Sequence, residues 1–215
     1  MALITTHCPD WEYTNVPGFN QILEDRAIAA LLRLRGMTPT GVLAICKDTR
    51  PLHARYFHKL TPPDFDYYAG NYRGSNFECL RHSMVHIPSD PLVGHPPDRI
   101  SDDMLMFSRD FESLVSESDF LWAVNQQVVS PAEKLYRVVQ LAAALFVYLL
   151  QIHPFKNGNG HMARFFLIAY LSRYGIFLSK WPLHGRPPDP PYSELIGKYR
   201  RGDRKSFEMF VLGCI

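Results

Sequence analysis

The sequence predicts an all-α fold, a single bundle of helices, on three observations. Apolar residues recur at intervals of three and four along several segments, which is the period of a helix buried on one face. A capping-box sequence opens the most apolar of these segments. Only residues 77–91 show a strand-like pattern, and prolines interrupt it. Helices are therefore expected to form the core.

The amino-terminal half contains three predicted helices. The first runs from Phe19 to Arg35, and Gly36 follows it as a natural stop. The second runs from about Thr40 to Lys59 and ends before two prolines. The third begins after Ser101, whose side chain is suited to cap a helix amino terminus.

Two further helices flank a short loop, residues 153–160. Ser130, Pro131 and Glu133 form a capping box that opens a long apolar helix ending near Gln151. A second apolar helix follows the loop and stops at Gly175. The loop between two core helices is where chemistry is expected.

Composition excludes several classes of protein. The 215 residues are 47% hydrophobic and 20% charged, which is typical of a folded chain and not of a disordered one. A net charge of +2 supplies no basic field, so nucleic acid and membranes are not expected partners. The apolar stretch Val138–Leu150 is shorter than the about 20 residues of a membrane span and is predicted to be buried.

The four cysteines, Cys8, Cys46, Cys79 and Cys214, do not have the spacing of a disulfide framework or a redox motif. They are expected to be reduced thiols in a cytoplasmic protein, because disulfides are rare in that compartment. Delivery of the protein into another cell is left open.

The loop has the residues of an anion site. Gly158, Asn159 and Gly160 stand directly before a helix, where backbone N–H groups and the helix dipole attract phosphate. Arg164 lies one turn further on and is placed to bind a second phosphate. His153, on the opposite side of the loop, is a candidate general base. Each feature also has a structural explanation, since such glycines connect helices and such histidines cap them.

The string His153–Arg164 (HPFKNGNGHMAR) resembles the signature of the Fic family, His-Pro-Phe-x-acid-Gly-Asn-Gly-Arg-x-x-Arg. The similarity extends over roughly residues 40–212. It implies a Fic-like catalytic domain at 40–215, preceded by a helical extension at 1–39. It also implies a helical bundle with a small β-hairpin flap beside the active loop.

The resemblance implies transfer of AMP from ATP to a Ser, Thr or Tyr hydroxyl of a target protein. His153 would be the base, and Gly158, Asn159, Gly160, His161 and Arg164 would bind the nucleotide. The flap, with Met84, Val85, His86 and Ile87, would align the target backbone by strand addition.

Two positions differ from the family signature. Asn157 replaces the acidic residue that holds Mg²⁺, so magnesium is expected to bind only weakly there. His161 replaces the first arginine, which exchanges a permanent charge for a titratable one. Two alternatives stay open: a catalytically silent fold that binds a nucleotide or a partner, and a transferase that uses another phosphate-containing donor.

An inhibitory helix is not evident in the sequence. The nearest match to the family's inhibitory motif, Ser113–Glu117, is interpreted as ordinary helix surface because it lies after the flap and its last residue does not fit. A separate inhibitory protein is therefore a possible partner. Residues 198–201, which carry three cationic side chains, are likewise interpreted as a solvated helix face.

Overall fold

A computed structural model describes residues 8–85, 87 and 90–215, and the regular structure within them is entirely helical. The predicted all-α class is confirmed. The described residues form nine α-helices, in order: α1 Phe19–Arg35, α2 Pro39–Lys47, α3 Arg50–Tyr56, α4 Glu78–Arg81, α5 Ile100–Ala123, α6 Pro131–Ile152, α7 Asn159–Ser172, α8 Tyr192–Arg200 and α9 Arg204–Leu212.

Helix α6 lies at the centre of the bundle. It packs against α5, α7, α8 and α9, while α2 lies against α7 and α1 against α3. By length and composition α6 is apolar enough to cross a membrane, and half of its most apolar 18-residue stretch is buried. The prediction of a buried helix at Val138–Leu150 is confirmed, because residues on several sides of α6 are covered by its neighbours.

The strongest local signals of the sequence are confirmed. Helix α1 has the predicted bounds, with Gly36 directly after it. Pro131 opens α6, and the Ser130 hydroxyl accepts a hydrogen bond of 3.2 Å from the backbone N–H of Glu133. Gly175 follows α7 with a φ of +70°, a left-handed conformation that ends helices.

Two helix boundaries differ from the prediction. The helix expected over 40–59 is divided into α2 and α3 at Asp48–Thr49. Pro51 explains the break, because its ring would clash with the carbonyl four residues earlier in a continuous helix. The cap expected at Ser101 is also wrong: α5 begins at Ile100, after a 3₁₀ turn over Pro97–Arg99.

The expectation that all four cysteines are reduced is wrong for two of them. Cys8 and Cys79 form a disulfide with an S–S distance of 2.03 Å, while Cys46 and Cys214 are buried thiols. The bond joins α4 to residues 8–16, which we call the N-terminal strap. Chain segments so far apart in sequence give no local signal of pairing.

The strap is part of the hydrophobic core. The side chain of Trp11 is 3% exposed and contacts the rings of His53, Phe57 and Tyr68. Its indole N–H donates to the carbonyl oxygen of Leu60 at 2.7 Å. The strap is therefore fixed by packing and by hydrogen bonds as well as by the disulfide.

A fully buried arginine joins the carboxyl end of α6 to the chain before α5. The Arg73 guanidinium donates to the carbonyl oxygens of His153 (2.8 Å), Ser83 (3.0 Å), His95 (3.0 Å) and Ile152 (3.1 Å). Two of these carbonyls lie at the helix end, where they have no partner within the helix. Burial lowers the pKa of Arg73 to about 10, and the four carbonyl dipoles take the place of a counter-ion.

The described residues of the expected hairpin flap, including 83–85 and 87, form no strand. Their backbone groups bond elsewhere, since the Ser83 carbonyl accepts from Arg73 and the Ile87 carbonyl accepts from the N–H of Asp90.

The Asp90 side chain forms an ion pair with Arg200 of α8 at 2.5 Å, with little exposure of either side chain. The interpretation of residues 198–201 as a solvated face is therefore wrong for Arg200, which is paired and packed, while Lys198 and Arg201 reach solvent.

Replacing Arg73 by Met should destabilise the protein by at least about 3 kcal/mol, because four buried carbonyl groups lose their donors. Urea unfolding followed by circular dichroism measures the change. The matched control is Arg109→Met on the exposed face of α5, which should change stability by under about 0.5 kcal/mol. Equal effects of the two variants would contradict the structural role of Arg73.

Candidate active site

The loop between α6 and α7 is folded by its own side chains. His153 ends α6 with a φ of +54°, which turns the chain away from the helix. The buried Asn159 side chain then accepts from the N–H of Phe155 at 2.9 Å and donates to its carbonyl at 2.8 Å. Asn159 therefore supports the loop with its side chain, and only its backbone N–H is available to a ligand.

A second histidine, which the sequence did not single out, supports the loop from below. The ring of His53 in α3 stacks on Phe155 with centroids 3.8 Å apart. Its Nε2 lies 2.9 Å from the carbonyl oxygen of Asn157, and its Nδ1 accepts from the N–H of Gly70 at 2.8 Å. Complete burial lowers the pKa of His53 to about 3, so the ring is a neutral hydrogen-bonding spacer.

Gly158 is required by the close approach of the loop to α3. Its φ is +80°, and a Cβ atom there would lie 2.3 Å from a ring carbon of Phe57. A larger residue would push the loop away from the helix that supports it. The same left-handed conformation starts α7 and directs its first N–H groups outward.

His153 has the hydrogen bonding of a neutral base. Its Nδ1 lies 3.3 Å from the carbonyl oxygen of Leu150, which can only accept, so this nitrogen carries the proton. The other ring nitrogen, Nε2, is left with a free lone pair. Burial, opposed in part by the Leu150 hydrogen bond, lowers the pKa of His153 to about 4.

The start of α7 and Arg164 bring several hydrogen-bond donors together. Asn159 and Gly160 are the first residues of α7, where backbone N–H groups have no partner in the helix. The guanidinium of Arg164 lies over this turn, since a Cβ on Gly160 would be 3.1 Å from its Nη1. Arg164 is 3% exposed, and its Nε has no hydrogen-bond partner among the described residues.

His161 does not titrate near neutrality as expected. It is 6% exposed, and its Nε2 lies 3.2 Å from the carbonyl oxygen of His184. Burial, with the nearby charge of Arg164 as the next cause, lowers the pKa of His161 to about 3. The residue at the position of the family's first arginine is therefore a neutral donor to the backbone at physiological pH.

Asn157 connects the loop to the N-terminal strap. Its Oδ1 accepts from the N–H of Gly158 at 2.7 Å, and its Nδ2 donates to the carbonyl oxygen of Trp11 at 2.6 Å. Both polar atoms of the side chain are thus used inside the protein. An aspartate here could make the first hydrogen bond but could not donate the second.

These residues line one cavity of about 400 Å³. Of the residues predicted from sequence, the structure brings together His153, Asn157, Gly158, Asn159, Gly160, His161, Arg164 and the flap residue Ile87. Met84 and Val85 are not in its lining, and His86 lies outside the described residues. Sequence reasoning missed Tyr13 of the strap and Arg186, Tyr192 and Arg200 from the carboxyl-terminal segment.

The fold and the loop define a helical domain with a cavity beside the loop that joins two core helices. A family model, that of the Fic/DOC family, matches residues 47–171. This span is more than half of the chain, and the protein belongs to that family.

Two curated relatives are similar over part of the chain. One is a uridine 5′-monophosphate transferase of Xanthomonas campestris pv. campestris (strain 8004), 29% identical over 54% of this chain and 18% of its own length. The other is the protein adenylyltransferase Fic of Nematostella vectensis, 32% identical over 43% of this chain and 21% of its own length. The chain spans about a fifth of the length of these relatives.

Three histidines with lowered pKa values predict how stability depends on pH. His53, His153 and His161 have folded-state pKa values of about 3, 4 and 3. In the unfolded chain each titrates near 6.5, so below that pH the unfolded state binds more protons. Stability should therefore fall as the pH drops from about 6.5 toward 4, by up to about 1.4 kcal/mol per pH unit for each histidine.

Urea unfolding at several pH values between 7.5 and 4.5 measures this dependence. The comparison variant His161→Gln, which removes one of the three groups, should lose less stability on acidification than the parent protein. An identical slope in both proteins would show that His161 is not held neutral in the folded state.

Proposed function

We propose that this protein transfers a nucleoside monophosphate from a nucleoside triphosphate to a hydroxyl group of a target protein. AMP from ATP is the first candidate for the transferred group. His153 acts as the general base, and the start of α7 with Arg164 holds the phosphates of the donor.

The reaction is an exchange at the α-phosphorus. His153 Nε2 takes the proton of the target hydroxyl as its oxygen attacks that phosphorus. A phosphoester bond to the target forms, and the bond to the bridging oxygen of the β-phosphate breaks. Pyrophosphate leaves, and the nearby guanidinium and N–H groups stabilise the charge on the transferring phosphate.

One observation carries the proposal: a neutral histidine with a free ring nitrogen shares a cavity with a buried arginine that has an unpartnered Nε. A buried cation without a counter-ion is costly, and binding of an anion relieves that cost. The lowered pKa of His153 keeps the base unprotonated throughout the physiological range. A base and an arginine that line the same cavity suit transfer of a phosphate to a hydroxyl.

The donor has one specific alternative. The Xanthomonas relative is a uridine 5′-monophosphate transferase, which favours UTP as the second candidate. A competition experiment separates ATP from UTP as the donor. Transfer of the label is measured in the presence of unlabelled ATP, UTP, GTP, CTP or a phosphate-linked choline compound, so that other donors are tested as well. Nucleotide binding without any transfer would instead support a silent, binding-only fold.

We also propose that the flap aligns the target. Ile87 lines the cavity, and Met84 beside it is 66% exposed, so an incoming chain has both an apolar contact and access to the base. Restraint of the activity is assigned to a separate inhibitory protein, since Ser113 and Glu117 lie on the exposed face of α5.

Replacing His153 by Ala should lower transfer by about 10²- to 10⁴-fold, because the proton of the hydroxyl loses its acceptor. Nucleotide affinity should stay within about threefold of the parent value, since the phosphate-binding groups are unchanged. The measurement is label transfer from α-³²P-labelled ATP and UTP to proteins of a cell extract, with calorimetry for affinity.

The matched control is His58→Ala, which removes an exposed histidine at the end of α3 and should leave both quantities unchanged. Normal modification of targets by His153→Ala would contradict the assigned base. Loss of nucleotide binding in that variant would mean that His153 acts on the donor instead.

A further inference from the structure

We infer that the site holds the phosphates of its donor on protein groups alone, with no divalent cation at residue 157. This inference rests on the proposed function, since it concerns a nucleotide in the same cavity. Three independent features of the described residues support it: the use of Asn157, the absence of a carboxylate from the cavity wall, and the unpaired charge of Arg164.

The Asn157 side chain makes hydrogen bonds within the protein and is not available as a metal ligand. Its amide is oriented by two short hydrogen bonds, one to the N–H of Gly158 and one to the carbonyl of Trp11. Turning the amide oxygen toward a metal would break the hydrogen bond from the Gly158 N–H and redirect the one to the Trp11 carbonyl. Because Trp11 anchors the strap in the core, such a rotation would also loosen the segment that covers the loop.

No other described residue replaces the missing carboxylate. Neither aspartate nor glutamate is among the residues lining the cavity. Within the described part of the chain, no group of three His, Cys, Asp or Glu side chains is arranged to hold a metal. The nearby Asp90 and Asp189 are engaged, Asp90 with Arg200 and Asp189 with Arg186 and Ser193. Magnesium favours anionic oxygen ligands, and the described residues that line this cavity provide no carboxylate for it.

Arg164 supplies the positive charge that a cation would bring. Among the described residues it has no carboxylate within ion-pair distance; its Nη2 donates to the carbonyl of Leu183 at 3.3 Å, and its side chain also hydrogen-bonds that of Tyr192. Its Nε has no partner, although the side chain is 3% exposed. A guanidinium binds two phosphate oxygens at once, and the N–H groups of Asn159 and Gly160 extend the same surface. Magnesium bound to the nucleotide would compete with these donors for phosphate oxygens.

The test is calorimetric titration of the full chain with ATP and with UTP, each in excess Mg²⁺ and in chelator. We expect the affinity in Mg²⁺ to be equal to or weaker than that in chelator. Tightening by Mg²⁺ of more than about threefold would overturn the inference. Failure of both nucleotides to bind in either condition would overturn the proposed function and the inference with it.

Variants at residue 157 locate any effect of the metal. Asn157→Asp adds a carboxylate, so it should bind more weakly than the parent in chelator and regain affinity in Mg²⁺ by about tenfold. Asn157→Ala removes both hydrogen bonds without adding charge, and it should remain insensitive to Mg²⁺. If the parent protein is tightened by Mg²⁺ and Asn157→Ala is not, residue 157 is a metal ligand and the inference is wrong.

Asn125→Asp is the matched control for added charge. This exposed residue lies before the amino end of α6, a helix of 22 residues and so about 33 Å long, whereas the site lies at the carboxyl end of the same helix. Its side-chain oxygen accepts from the N–H of Gln127, a bond that aspartate can keep. The control should bind nucleotide as the parent does in both conditions, and thermal unfolding confirms that each variant is folded.

Discussion

The hydrogen bonds from the Arg73 guanidinium to four carbonyl oxygens connect the fold to the site. They hold the last carbonyls of α6, the backbone of His153, the start of the flap segment at Ser83 and the chain before α5 at His95. In the part of the chain that the structure describes, no carboxylate offsets this buried charge, so the carbonyl dipoles must all be in place for the charge to be tolerated. The end of the central helix and the position of His153 therefore form together.

The same constraint explains why three histidines in and beneath the site are neutral. His53 and His161 are buried, His153 is half-buried, and each has a ring nitrogen within hydrogen-bond distance of a backbone carbonyl. Protonation would add a charge that the surroundings cannot solvate, which lowers their pKa values. Arg164 is different because its charge is permanent and its Nε lacks a partner. The other two arginines of the cavity wall, Arg186 and Arg200, each have an aspartate partner.

Local patterns predicted the parts of the fold that local interactions determine. Helix α1 and the Ser130 cap of α6 depend on residues within a few positions of one another, and both were predicted correctly. The break between α2 and α3 is local as well, and Pro51 was the signal for it. The start of α7 directly after Gly158 was also predictable, because glycines before an apolar helix are a contiguous motif.

Long-range contacts determine what the sequence did not predict. Asn157 and Trp11 are 146 positions apart, and nothing near either residue indicates that one binds the other. The roles of Arg73 and His53 likewise depend on which carbonyls the folded chain brings to them. The neutrality of His161 follows from burial, which its position in the motif does not reveal. The absence of strand in the described flap residues reflects bonds to Arg73 and within a turn.

The Cys8–Cys79 disulfide spans 71 positions, and a cross-link of that span lowers the entropy of the unfolded chain enough to stabilise the fold by about 4 kcal/mol. In a reducing medium that contribution disappears, and the strap is held by packing and hydrogen bonds alone. Protein purified with reductant and protein purified without it are therefore two distinct samples. They should have different unfolding midpoints, and the N-terminal strap should be held less tightly against the loop in the reduced protein.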